Sequence, residues 1–264
     1  PFDDGLVGSG LTDCGSVVVR YGVAGRGLAG GLADTVLSQF AAGSLNPPEA
    51  NDHYGYALAA GDFNGDGIDD LAIGVPGDRQ WDGGTQEYEN TGAVEIHYGP
   101  EGGLQTVGEH HLMWHTFGSH NTDRLGEALA VGNFNADFYD DLAIGIPGDH
   151  LFYAGGYVWP AGSVWVLHGH FGGLVPTEGV LVYQDAEGIH DWPELDDDFG
   201  YAVCASPDGG FVVAGETEGD FYLESRSLVV RFDAEGNVLW RNTYNGPNAG
   251  TALDIIATNG GGYA

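Results

Sequence analysis

Residues 52–78 read DHYGYALAAGDFNGDGIDDLAIGVPGD, and residues 123–149 read DRLGEALAVGNFNADFYDDLAIGIPGD. Aligned from Asp52 and Asp123, 18 of the 27 positions are identical without a gap. A block that recurs in this way is one supersecondary unit used again, so the repeat decides the fold. The unit runs on after each block into TGAVEIHYGPEGGL (residues 91–104) or AGSVWVLHGHFGGL (residues 161–174). The N-terminal stretch, FDDGLVGSG followed by CGSVVVRYGVAGRGL, repeats the second half of the same unit. Another start, DFGYAVCASPDGGFVVAGE, opens at Asp198 and puts Gly200 in the place of Gly126.

Each unit holds about four short runs rich in Val, Ile, Ala and aromatic residues, bounded by Gly, Asp, Asn or Pro. In the second unit these are residues 54–61, 69–75, 92–98 and 107–116. Runs this short between turn residues are β-strands. Four strands per repeat of this length predict an all-β protein, a β-propeller of four-stranded antiparallel blades. About four blades are visible, and the chain reads as an incomplete piece of a longer one. The repeat changes in the last quarter: Tyr263 follows Phe211 at the matching Gly-Gly-aromatic step, a shorter interval than that from Gly126 to Gly200. We therefore divide the chain into residues 1–205 and a shorter-repeat part, residues 206–264, continuous with the first.

The chain has 264 residues, with 39 acidic side chains against 7 basic ones, all arginine, and a net charge of −32. Such a surface excludes nucleic acid as a partner, because phosphate binding needs basic residues. No apolar run reaches the ~20 residues of a membrane span. Cys14 and Cys204 both lie in apolar strand-like runs and read as two free thiols.

Within the repeat, residues 62–70 place Asp62, Asn64, Asp66 and Asp70 at loop positions 1, 3, 5 and 9. Calcium takes six to eight hard oxygen ligands, and alternate positions of a coiled loop can face one ion. Gly67 permits the sharp turn, and the carbonyl of Ile68 offers a further oxygen. An EF-hand is excluded, because position 12 is Ile73 instead of glutamate and the flanks read as strands. The second copy keeps Asn133, Asn135, Asp137 and Asp141, with the Tyr139 carbonyl at position 7. It exchanges the first Asp for Asn and the turn glycine for Phe138, so it promises weaker binding. A positive φ at Phe138 would cost on the order of 1 kcal/mol. Asp3 and Asp4 would be the tail of a third such loop.

Tyr54-Gly55 and Gly74-Val75-Pro76, with the acidic loop between them, resemble the FG-GAP repeats of integrin α-subunit propellers and their bacterial relatives. Leu125-Gly126, Gly145-Ile146-Pro147 and Phe199-Gly200 carry the same pattern. The resemblance covers residues 1–205. It implies seven blades when complete, a calcium loop between the first two strands of a blade, and an extracellular setting. Residues 206–264 are instead similar to the GNVLW…TY…DGGY repeats of secreted bacterial propellers.

Other features carry less. Gly25, Gly27 and Gly30 imitate a dinucleotide fingerprint with residues 28–42 as its helix, but the later units have plain turns at this place. His110, His111 and His115 surround Trp114, yet His111 and His115 on one strand stand roughly 13 Å apart, too far for one zinc ion. The expected function is therefore a non-catalytic, extracellular, calcium-binding module for adhesion or for a protein or glycan ligand. The alternative is an accessory propeller of a larger secreted hydrolase or phospholipase. Catalysis in the propeller itself would need a carboxylate, His or Tyr cluster at the channel mouth.

Overall fold

The structure, a computed structural model, describes residues 11–22, 28, 33–41, 47–81, 87–88, 90–99, 104, 110–113, 121–153, 156–158, 161–184, 189, 197–218, 225–233, 235–244, 254–258 and 262–263. Asp3, Asp4, His115 and the Gly25-Gly27-Gly30 stretch lie outside the described residues.

The first blade contributes β1 (Val17–Val19) and β2 (Thr35–Leu37), paired antiparallel. In the second blade, β3 (Leu58–Gly61) and β4 (Asp70–Val75) are followed by a small ribbon, β5 (Gln80–Trp81) with β6 (Glu87–Tyr88). Then come β7 (Ala93–His97) and β8 (His110–Met113). The third blade repeats this with β9 (Leu129–Gly132), β10 (Asp141–Ile146), ribbon β11 (Leu151–Tyr153) and β12 (Gly156–Val158), β13 (Ser163–Leu167) and β14 (Val180–Tyr183). The fourth has β15 (Ala202–Ala205), β16 (Phe211–Glu218), β17 (Ser225–Phe232) and β18 (Val238–Tyr244).

Each full blade is a four-stranded antiparallel meander, in the orders β3-β4-β7-β8, β9-β10-β13-β14 and β15-β16-β17-β18. The four strands expected in the second unit are present, each inside its expected span. The two ribbons were not foreseen. β15 hydrogen-bonds β16, so the strands on either side of residue 205 lie in one sheet. The described residues include a 3-10 turn at Pro176–Glu178 and no α-helix.

The second strand of a blade is covered on both faces by neighbouring blades, which is why DLAIGV and DLAIGI run apolar without alternation. All six residues of β10 are buried. Val94, Ile96, Leu142, Ile144 and Trp165 fill the space between the second and third blades. Phe134, Phe199, Phe211 and Phe232 fill that between the third and fourth. Phe211 and Phe232 stack there with ring centroids 5.0 Å apart.

One joint recurs at every blade boundary. Parallel bridges link Gly15 to Tyr54, Gly92 to Leu125 and Gly162 to Phe199. The three glycines have φ of +83°, +80° and +77°, and a Cβ on any of them would come within 2.3 Å of the partner's backbone. Only glycine meets both demands, the left-handed conformation and the close approach. Inner strands also press together where Gly61 faces Val131 and Gly132 faces Ala205. The first strands β3, β9 and β15 thus run side by side around the axis of a β-propeller.

Candidate functional site

The two acidic loops join the first strand of a blade to its second, and buried aromatics anchor them. Phe63 and Phe134, at loop position 2, are buried in the inter-blade cores. The polar side chains at positions 1, 3 and 5 therefore stay on the outer side of the loop.

In the first loop, Asp62 organises the turn. Its Oδ1 accepts the N–H groups of Gly65 (2.8 Å) and Asp66 (3.0 Å), and its Oδ2 accepts that of Gly67 (2.8 Å). Asn64 Oδ1 accepts from Asp66 N–H at 2.9 Å, and Asp66 Oδ1 from Ile68 N–H at 2.9 Å. Gly65 and Gly67 take positive φ. Asp70 closes the loop from beneath, with Oδ2 accepting from Phe63 N–H (3.0 Å) and Oδ1 from Gly99 N–H (2.8 Å) at the end of the third strand. The Asp70 side chain is almost fully buried, and this burial pushes its pKa up to about 6. The Gly99 and Phe63 amides oppose the shift, while the charges of Asp66 and Asp62 add to it.

The second loop repeats the floor and alters the roof. Asp141 accepts from Phe134 N–H (2.6 Å) and Gly169 N–H (2.9 Å), and burial raises its pKa as well. At position 1, however, Asn133 donates its side-chain N–H to the Asp137 carbonyl (2.7 Å). Asn135 Nδ2 likewise donates to Asp137 Oδ2 at 2.9 Å, and Tyr139 N–H bonds Asp137 Oδ1 at 2.7 Å. At position 1 an amide hydrogen thus takes the place of a carboxylate oxygen, whereas position 3 is asparagine in both loops, its Oδ1 accepting the position-5 N–H in each.

The strain expected at Phe138 is absent. The left-handed residue is Ala136, with φ +57°, aligned with Gly65; Phe138 has no positive φ and is 95% exposed. The second loop therefore winds differently, keeping only the earlier of the two left-handed turns and pushing Phe138 into solvent.

The donor set of the first loop is wholly oxygen, which suits a hard divalent cation such as calcium. Asp62, Asn64, Asp66, the Ile68 carbonyl and Asp70 are the groups that would hold it. Among the described residues no three His, Cys, Asp or Glu side chains already converge on one point. The side chains here face the loop's own amides.

The structure also adds residues that the spacing did not single out. Asp140 and Tyr139 of the second loop lie against the first, and Gly99 and Gly169 hold the closing carboxylates. The Asp-Asp doublet at positions 8 and 9 was the available signal: its second member goes under its own loop, and in Asp140 the first reaches the neighbour.

Two further titratable groupings lie away from the loops. Tyr54 Oη is hydrogen-bonded to His97 Nε2 (3.0 Å), which lies 3.4 Å from Glu95 Oε2. All three are buried, and desolvation holds the Tyr54 phenol above its usual range. Their side chains are closed off from solvent within the blade. At the opposite ends of the inner strands from the loops, Arg124 bonds Asp198 Oδ1 (2.7 Å) and lies over the Tyr201 ring. Glu127, 3.6 Å from Arg124, accepts from Tyr56 Oη at 3.4 Å, so this network ties three blades together. The side chains of His110 and His111 lie outside the described residues. Cys14 and Cys204 form no disulfide, and burial raises the Cys204 thiol to about 11.

Repeats of this geometry define a class. The family model of the FG-GAP repeat matches residues 54–94, the span from Tyr54 through the first loop into the third strand. This part of the chain is thus similar to the FG-GAP β-propeller repeats of integrin α-subunits, and residues 123–149 repeat its pattern. The chain is 32% identical over 186 residues to integrin alpha-PS2 of Drosophila melanogaster, covering 68% of this chain and 12% of that protein. It is 35% identical over 139 residues to phosphatidylinositol-glycan-specific phospholipase D of Rattus norvegicus, covering 51% of this chain and 15% of that protein. The chain thus spans about an eighth of the length of these curated relatives. Among solved structures, a Bacillus licheniformis rhamnogalacturonan lyase superposes with a TM-score of 0.41 at 15% identity, over 73% of this chain and 35% of that one. A likeness that partial carries no functional argument. No helix among the described residues is long and apolar enough to cross a membrane.

Proposed function

We propose that this chain is a non-catalytic, calcium-stabilised propeller segment of an extracellular adhesion or ligand-binding protein, with its cation held by the first loop. The observation that carries the reading is the set of oxygen donors at Asp62, Asn64, Asp66, Ile68 and Asp70, organised by three N–H bonds to Asp62. The similarity to integrin alpha-PS2 supports the adhesion setting, and the partner would be an extracellular protein or glycan. The loop at Asn133, Asn135, Asp137, Tyr139 and Asp141 would be a weaker site. Calcium would fasten the first-to-second strand connection without taking part in chemistry.

Extracellular modules hold calcium at about 10⁻⁴–10⁻³ M. At the tight end of that range, ~1 mM calcium adds about 1.4 kcal/mol to folding by mass action. That is about 2–4 °C in melting temperature for a domain of this size. Thermal unfolding in EDTA and in ~1 mM calcium measures it, and Asp66→Ala removes most of the difference. A wild-type melting temperature indifferent to calcium rejects the reading.

The similarity to phosphatidylinositol-glycan-specific phospholipase D favours a second reading, an accessory propeller beside a catalytic domain. A hydrolase signature elsewhere in the full-length reading frame would decide for it.

A further inference from the structure

We infer that Asp140, on the third blade, is a positioning residue for the calcium loop of the second, so that the degraded loop serves as a brace for the intact one. This rests on the calcium reading of residues 62–70 and deepens it. Asp62 is the residue on which that loop is wound, and its backbone is held from outside its own blade. Asp62 N–H donates to Asp140 Oδ2 at 2.9 Å, and Asp140 N–H donates to the Asp62 carbonyl at 3.0 Å. The two bonds fix the peptide planes on both sides of Asp62, and with them the direction in which its carboxylate leaves the chain.

Two close contacts reinforce the clamp. A Cβ on Gly65 would lie 2.4 Å from Tyr139 Cε1, so the first loop lies flat on the Tyr139 ring. A Cβ on Gly61 would lie 2.9 Å from Asp140 Oδ2, so the strand entering the loop also needs a bare backbone there. The Asp140 carboxylate adds a further negative charge beside Asp62.

The same logic accounts for the divergence of the two copies. In the fourth blade, Ser206-Pro207-Asp208-Gly209 is a tight turn, with Gly209 N–H bonded to the Ser206 carbonyl. The equivalent of a braced loop is thus missing on that side. The second loop is instead held from within by the Asn133 and Asn135 amides. It keeps Asp140 and Tyr139, the residues that face its neighbour, while losing the position-1 carboxylate that would serve itself.

Groups that orient metal ligands from behind typically change affinity 10- to 100-fold when removed. Isothermal titration of the chelator-treated chain with calcium should therefore show Asp140→Ala binding 10- to 100-fold more weakly than wild type. Asp140→Asn keeps an acceptor and loses the charge, so it should fall between the two. Circular dichroism and melting in EDTA establish that each variant is folded, and Asp140→Asn carries the test if Asp140→Ala is not. Wild-type affinity in a folded Asp140→Ala or Asp140→Asn variant overturns the inference and leaves the calcium reading standing. A wild-type chain that takes up no calcium overturns both.

Discussion

Replacing Gly92 by alanine tests whether blade joints of this propeller depend on a bare backbone. Two costs arise, and a control separates them. The first is conformational: at φ +80° a Cβ costs about 1–2 kcal/mol, part of which the stiffer unfolded chain returns. The second is spatial. The added Cβ would lie 2.3 Å from both the N and O of Leu125, backbone atoms that cannot swing aside. Ordinary contact begins near 3.4 Å, so the third blade must retreat by about 1 Å. That movement stretches the bonds from Leu125 N–H to the Thr91 carbonyl and from Arg124 N–H to the Asn90 carbonyl, each 3.0 Å long and each contributing about 1 kcal/mol. The total comes to about 3–4 kcal/mol. Gly209 has φ +91° and nothing within 4 Å of an added Cβ, so Gly209→Ala incurs only the first cost, about 1 kcal/mol. Urea unfolding of both variants in EDTA gives the two numbers directly. Equal destabilisation would refute the argument, because backbone strain alone would then explain both.

Tyr98→Phe removes the hydroxyl that accepts the buried Leu174 N–H at 3.1 Å across the second and third blades; a loss of about 1–2 kcal/mol in urea unfolding is expected. Ala136→Gly relieves a left-handed residue and should raise stability by up to about 1 kcal/mol, whereas Phe138→Ser, on a fully solvated side chain, should stay within about 0.5 kcal/mol. Loss of stability in Phe138→Ser would show that the ring packs against something. Asp52 is buried, and desolvation raises its pKa to about 6 in the fold, against about 3.9 unfolded. The folded state therefore binds the extra proton, and the stability this brings is complete below pH 4 and lost as pH rises through 6. Asp52→Asn should leave stability unchanged near pH 4 and raise it by about 2 kcal/mol at pH 7.5; an Asp52→Asn effect that does not vary with pH would count against this assignment.

The blade and its period are legible in the residues alone. Two blocks identical at 18 of 27 positions, starting at Asp52 and Asp123, have no other economical source, and strands buried on both faces must be apolar at successive positions. The acidic loop is legible there too, because the spacing of its Asp and Asn residues and the turn glycine are local properties. The joints between blades, by contrast, required tertiary structure. Gly92 and Leu125 belong to different repeats, and nothing in either residue announces that their backbones touch. The same is true of Asp140: its spacing marks it as a bystander within its own loop, and only the packing of adjacent blades brings it against Asp62. Phe138 shows the converse failure, since alignment carried over a backbone conformation that the chain avoided by keeping only the turn at Ala136. Local pattern sets which residues can form a strand or a loop; contacts between blades set how each loop is wound and what supports it.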